Sequence, residues 1–270
     1  MKRRQFLAAS AVAALALAAS PNARAADAPG DKEGIELRIY HFASPAKQQA
    51  FEKFMAQAAI PAYNRLGIQP VGVLKMLAKD NQGLKLDADP TDLYVILPHK
   101  SAESLLTMET RLAADEAYQK AGASILITPQ NDPAYTRYET SLLLGFDQCP
   151  TVQQGSKAET RVLQLRIYPS HSNDRALKKI HMFNEGGEIA IFKRCGMMPV
   201  FFGQTLAGSN MPNLTYMLSF DDEKAQAAAW GKFGQDPDWK KISKDDFYKE
   251  TVIQNKIINL ILRPAAGSQI

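Results

Sequence analysis

The chain contains the same unit twice. Leu37-Arg38-Ile39-Tyr40 recurs letter for letter as Leu165-Arg166-Ile167-Tyr168, 128 positions later. Gly67-Ile68-Gln69-Pro70-Val71 is answered by Gly196-Met197-Met198-Pro199-Val200 at an offset of 129. Tyr94 matches Tyr216 at 122, and Asp115 and Tyr118 match Asp236 and Trp239 at 121. Four anchors in one order with slowly drifting offsets identify a duplication.

Each copy reads strand, helix, strand, strand, helix, strand. The first strand alternates, with Leu37 and Ile39 on one face and Glu36, Arg38 and Tyr40 on the other. Ser44-Pro45 opens a helix, the serine as cap and the proline in the first turn. Phe51, Phe54, Met55, Ala58 and Leu66 mark its apolar stripe. Pro61 is expected to kink or split it, and Gly186-Gly187 weakens the second copy at a comparable place. Gly67 and Gly196 follow as helix C-terminal caps. Second strands are predicted over 71–76 and 200–204, second helices over 101–114 and 222–233, and last strands over 140–144 and 257–262. The polar stretch 147–158, with Pro150 and Gly155, joins the copies. The resulting organisation is a first repeat over 34–146, a linker over 147–160 and a second repeat over 161–265.

A βαββαβ unit makes a four-stranded antiparallel sheet with both helices on one face. The other face is bare and needs a partner. The fold class is therefore α+β: two tandem ferredoxin-like repeats covering each other as a pseudo-dimeric α+β barrel.

The second repeat carries further ordered motifs. His181-Met182-Phe183-Asn184-Glu185-Gly186-Gly187-Glu188 runs into Gly196 and then Pro199-Val200-Phe201-Phe202-Gly203. Pro212-Asn213-Leu214-Thr215-Tyr216-Met217, Phe233-Gly234-Gln235-Asp236-Pro237-Asp238-Trp239 and Leu262-Arg263-Pro264 follow. This series resembles the NIPSNAP family, in particular its exported bacterial members, and the first repeat is a more diverged copy. The resemblance implies the tandem α+β barrel and carries over no catalytic residues. Animal members resemble adaptors in mitochondrial quality control and vesicle handling, which need partners that an exported protein would not meet.

Residues 1–25 read as a removable export signal. Lys2, Arg3 and Arg4 precede an alanine-rich run, and Ala23-Arg24-Ala25 offers small residues where a signal peptidase cuts. Arg3-Arg4 with Phe6-Leu7 points to the twin-arginine route, with the general secretory route as the alternative, and to a periplasmic mature protein. The apolar run falls short of the roughly 20 residues that span a bilayer, so no stable membrane anchor is expected. The whole chain is +4 at pH 7, and those 25 residues hold four basic groups and no acid, so the mature chain is neutral. Neutrality argues against nucleic acid as a partner. Cys149 and Cys195 sit in no metal or redox spacing, and pairing or two buried thiols are both open.

The candidate ligand-binding residues are Arg38, Tyr40, His41, Arg166, Tyr168 and Glu188. If Leu37, Ile39, Leu165 and Ile167 face the helices, then Arg38, Tyr40, Arg166 and Tyr168 point into the barrel. Two arginines and two tyrosines would suit a carboxylate or phenolate, because the guanidinium is a rigid donor fork and the phenol a flat wall. A buried guanidinium needs a partner. A ligand supplies it, or Glu36, Glu139 or Glu188 does so internally. His41 and His171 fall at similar places beside the two strands, but no tight histidine spacing supports a metal, and neither metal nor cofactor is expected. Glu185 and Glu188 are three apart on a helix bearing Lys193 and Arg194, which suggests a structural ion pair. Trp230, Phe233 and Trp239 read as core or helix-capping aromatics, and Asp236-Pro237 as a turn or helix start.

Three functions fit. The first is a binding module for a small organic ligand or a protein partner. The second is a cofactor-free monooxygenase or isomerase acting on an aromatic or acidic small molecule inside the barrel. The third is an assembly protein using its outer helices, with a homodimer compatible with the fold. A void inside the barrel favours the first two, and a filled core favours the third.

Overall fold

The computed structural model describes residues 32–253 and 256–270. The export signal read over residues 1–25 lies outside the described residues. The described residues form one unit built on a single closed sheet.

The strands of the first repeat are β1 (Gly34–His41), β2 (Gly72–Met76), β3 (Asp92–His99) and β4 (Arg137–Gly145). Those of the second are β5 (Val162–Pro169), β6 (Met198–Ala207), β7 (Asn213–Phe220) and β8 (Ile258–Pro264). They close a barrel in the order β1-β3-β2-β8-β5-β7-β6-β4. Each repeat keeps the ferredoxin-like order, last strand, first, third, second. Closure comes from crossed pairing: β2 lies antiparallel to β8, with Met76 opposite Leu262, and β4 lies antiparallel to β6, with Leu143 opposite Thr205. No sheet edge is left for another chain to pair with.

The strand alternation decides what fills the barrel. Ile35, Leu37, Leu74, Met76, Tyr94, Ile96, Leu143, Leu163, Leu165, Val200, Phe201, Met217 and Leu262 form one buried cluster drawn from all eight strands, with Ile39 packed against it. Ile270 from the C-terminal segment joins them, buried to 1%. The interior is therefore a packed apolar core. The expectation that Leu37, Ile39, Leu165 and Ile167 face the helices is reversed for the residues this cluster contains, and Arg38, Tyr40, Arg166 and Tyr168 lie on the outer, helix-covered face. The reason is physical: the face shared by both repeats is the drier one, and it takes the side chains with no polar atoms.

The helices cover that outer face. In the first repeat α1 (Pro45–Phe54) is capped by Ser44, whose hydroxyl accepts from the Lys47 amide. It continues through a π-helical segment, Met55–Ala59, into α2 (Ile60–Arg65). Pro61 does not end this run. It sits in the first turn of α2, where a missing N–H costs little, and the wider π turn before it lets Ile60 donate back to Met55. α3 (Ala102–Ala113) is capped by Ser101. A further helix not read from the sequence, α4 (Glu116–Leu126), is capped by Asp115.

The second repeat has α5 (Asn173–Asn184), α6 (Glu188–Arg194), α7 (Glu223–Gln235) and another added helix, α8 (Pro237–Ile242). Gly187, with φ +83, makes the break between α5 and α6 in a conformation that side chains resist. The repeat anchors Asp115 and Asp236 are the caps of the two added helices. Each also accepts a guanidinium fork from the end of an earlier helix, Asp115 from Arg65 and Asp236 from Arg194. The same clasp thus recurs within each copy.

Candidate functional site

Between each half of the barrel wall and its helices lies a cleft, and the arginine of the repeated Leu-Arg-Ile-Tyr motif lines it. The cleft of the second repeat has a volume of about 1040 Å³ and that of the first about 360 Å³. The six residues singled out from the sequence are divided between these places. Arg38 and Tyr40 line the first cleft; Arg166, Tyr168 and Glu188 line the second, with His171. His41 lines neither and instead faces Asp92, with Nδ1 at 2.9 Å from the carboxylate. One shared pocket inside the barrel, as the sequence suggested, does not form.

In the first cleft each guanidinium nitrogen finds a partner within the protein. Arg38 Nε donates to Glu36 at 2.6 Å, Nη1 to the Tyr40 hydroxyl at 3.3 Å, and Nη2 to Glu109 on α3 at 2.8 Å. Burial pushes the Glu36 carboxyl up, but the His99 ring 3.4 Å away, the Arg38 charge and the hydrogen bond from Arg38 outweigh it and hold it down at about 2. Glu36 is therefore ionised, and Thr140 donates to it as well. Of the three carboxylates named as internal partners, Glu36 fills the role. Glu139 faces His41 and Arg137.

The second cleft differs at the corresponding positions. Gln164 stands two residues before Arg166, where Glu36 stands before Arg38. Its amide oxygen accepts from Trp230 Nε1 at 2.7 Å and from Gln226 at 3.0 Å, and its amide nitrogen donates to Asn259 at 2.6 Å. Trp230 itself occupies the position of Glu109, at the offset of 121 shared by the two helix caps. Both carboxylates that satisfy Arg38 are thus neutral groups around Arg166.

The consequence is a cation held by aromatic faces. The Arg166 guanidinium carbon lies 5.0 Å from the Tyr168 and Trp230 ring centres and 6.0 Å from that of Tyr216. Its buried Nε has no hydrogen-bond partner among the described residues. Cation–π contact offsets part of the desolvation of such a group but leaves the Nε donor unmet. Tyr168 and Tyr216 bond through their hydroxyls at 3.0 Å. Burial pushes both phenols up from the ordinary tyrosine value, so the pair is a neutral hydrogen bond.

Deeper in the same cleft, Lys179 of α5 donates to Glu188 of α6 at 2.8 Å, and both residues are buried to 5% or less. The ion pair expected of Glu188 forms with Lys179. Arg194 goes to Asp236 and Asp238 instead. Lys179 also lies 4.8 Å from the Phe183 ring centre. Glu188 matches the charge of Lys179, whereas Arg166 has no counter-ion at hydrogen-bonding range among the described residues. Trp230 and Trp239 line the cleft, so the reading of these two as core aromatics is incomplete. Lys179 was missed because its partner lies nine residues on, across the Gly186-Gly187 break, where helical spacing gives no signal.

Cys149 and Cys195 are free thiols, both buried. Burial pushes the Cys149 thiol up to about 11, so it is inert at neutral pH. Among the described residues no group of three or more His, Cys, Asp or Glu side chains is arranged to hold a metal ion.

Residues 163–269 match the NIPSNAP family profile. The second repeat is a NIPSNAP domain. No functionally curated protein matches the chain at a significant level. Among solved structures, a monooxygenase-like protein from Lactobacillus acidophilus NCFM is similar with a TM-score of 0.57 at 12% identity, over 88% of this chain and 97% of that one. A monooxygenase-like protein from Fusobacterium nucleatum subsp. nucleatum ATCC 25586 gives 0.55 at 8%, over 87% and 94%. An anthrone oxidase-like protein gives 0.51 at 13%, over 90% and 97%. At these identities the likeness is one of fold: the NIPSNAP domain and the repeat before it form a dimeric α+β barrel fused into one chain.

Proposed function

We propose that the cleft of the NIPSNAP domain binds a small organic anion with a flat apolar body, its carboxylate or phenolate held by Arg166. The observation that carries this reading is the partnerless buried Nε of Arg166 in a cleft of about 1040 Å³. The first repeat supplies the internal control, because there the same guanidinium is matched by two carboxylates. Tyr168, Trp230 and Trp239 provide walls for an aromatic ring, and a guanidinium fork fits a carboxylate with two parallel bonds. The filled barrel core removes the lumen as a ligand site and by itself favours the assembly reading, but the candidate arginine and tyrosine line a cleft on the outer face, and the binding reading moves there.

Calorimetric titration of the mature chain with a panel of aromatic carboxylates tests it. Binding is expected with Kd weakened about 10–100-fold by Arg166→Ala, the loss of a charge-assisted pair. Binding that is unchanged in Arg166→Ala sinks the reading.

Turnover in the same cleft, as a cofactor-free monooxygenase or isomerase, is the second reading. It is favoured by the proton-bearing Tyr168–Tyr216 pair and the Lys179–Glu188 pair beside Arg166, and by the fold likeness to monooxygenase-like proteins. Dioxygen consumption with a bound phenolic acid, absent in Tyr168→Phe, separates turnover from binding alone. Export to the periplasm with cleavage before Ala26 belongs to the same proposal, and N-terminal sequencing of the protein from that compartment checks it.

A further inference from the structure

We propose that the cleft of the first repeat is a second organic-anion site held shut by Glu109, whose carboxylate takes the place of the ligand. The choice of ligand class rests on the reading of Arg166 above. Arg38 sits at the same motif position as Arg166 and lines a cleft of about 360 Å³ with Tyr40, Tyr118, Tyr135 and Tyr138. The rings form flat walls, with Tyr40 and Tyr138 centres 5.1 Å apart and Tyr40 and Tyr135 edge to face at 5.2 Å. The Arg38 guanidinium carbon lies 5.1 Å from the Tyr138 ring centre. The apolar cradle around the cation is therefore present in both repeats.

The charge differs. Glu36 is buried and ionised, and one carboxylate already neutralises Arg38. Glu109 is a second carboxylate on the same guanidinium, and the trio carries surplus negative charge. The two contacts are unlike in kind. Glu36 has a side-chain exposure of 5%, whereas that of Glu109 is 64%. Glu109 is thus the partner that can be removed without leaving a buried charge unpaired, because Glu36 stays on Arg38. In the NIPSNAP domain the equivalent position is Trp230, a wall of the cleft. The helix position that carries Glu109 and Trp230 therefore determines whether the arginine is offered to a ligand. Glu36 remains beside Arg38, so a ligand there is held less tightly than one on Arg166.

The test is the stoichiometry of 2-naphthoate binding to the mature chain by calorimetry. Wild type is expected to bind one probe per chain and Glu109→Ala two. The added site gains at least about tenfold in affinity over wild type, the effect of removing a competing charged partner. Glu109→Ala/Arg166→Ala is expected to keep one probe, and adding Arg38→Ala to remove it. The Glu109 side chain is largely exposed, and a cooperative melting transition confirms that each variant is folded. One probe on Glu109→Ala together with none on Glu109→Ala/Arg166→Ala overturns the proposal while leaving the Arg166 reading intact. No probe on wild type with one on Glu109→Ala overturns the Arg166 reading and supports this one.

Discussion

The indole Nε1 of Trp230 donates to the amide oxygen of Gln164 at 2.7 Å, which ties the residue two before Arg166 to the cleft wall. A glutamate in the same place in the first repeat goes to the arginine instead. Gln164→Glu should therefore bring a carboxylate to Arg166 and weaken anion binding in the NIPSNAP-domain cleft. The expected outcome is a Kd for aromatic carboxylates raised about 10–100-fold, read by calorimetry, with the fold retained. Unaltered affinity would mean that position 164 does not control the arginine.

Glu36 makes the first repeat sensitive to acid. Its folded carboxyl, at about 2, lies below the value near 4.3 of an unfolded glutamate. The stability it contributes is thus complete above about pH 5 and is lost as pH falls through 2. Urea unfolding across that range should show wild-type stability falling more steeply than that of Glu36→Gln. Glu36→Ala at neutral pH should cost about 3 kcal/mol, since Arg38 loses its buried counter-ion and keeps only Glu109 as a carboxylate partner.

Leu165→Ala tests the orientation of the repeated motif. Leu165 is fully buried in the barrel core, and its truncation should cost about 2–5 kcal/mol by the transfer and cavity terms together. A cavity in the lumen lies on the far side of the sheet from Arg166, so ligand affinity at Arg166 should change little. Denaturant melts and calorimetry on one preparation read both quantities.

Asp236 positions one wall of the cleft. Its carboxylate accepts from the Asp238 and Trp239 amides at the start of α8 and from the Arg194 fork, whose hydrogen bond holds its carboxyl down at about 2. Asp236→Ala should loosen α8 and expose Trp239, seen as a red shift in tryptophan emission. An unmoved spectrum would show that α8 is held by Phe233 packing alone, whose ring centre lies 4.4 Å from that of Trp239.

The repeated motif, the caps at Ser44 and Asp236 and the polar linker made the architecture legible, because duplication and capping are local patterns. The faces of the first strand were harder. Alternation says that Leu37 and Arg38 point apart, but which side is interior depends on what the other repeat brings. Matching Tyr94 to Tyr216 was also one residue off. In the sheet Val95 lies opposite Arg38 and Tyr216 opposite Arg166, so Tyr216 corresponds to Val95, at the same offset of 121 as the helix caps. A one-residue slip changes the face, and Tyr94 is in the barrel core while Tyr216 lies under the helices. The opposed environments of Arg38 and Arg166 depend on Glu109 and Trp230, more than sixty residues distant in sequence, and no short window contains that relation.

The crossed pairing of β2 with β8 and β4 with β6 has a genetic corollary. Two separate identical chains closing such a barrel would repeat every substitution on both sides, so an alteration favouring one cleft would be imposed on the other. Joining the halves in one polypeptide ends that obligation. Position 109 can hold an acid while its counterpart at 230 holds an indole, and selection can act on either side of the barrel alone.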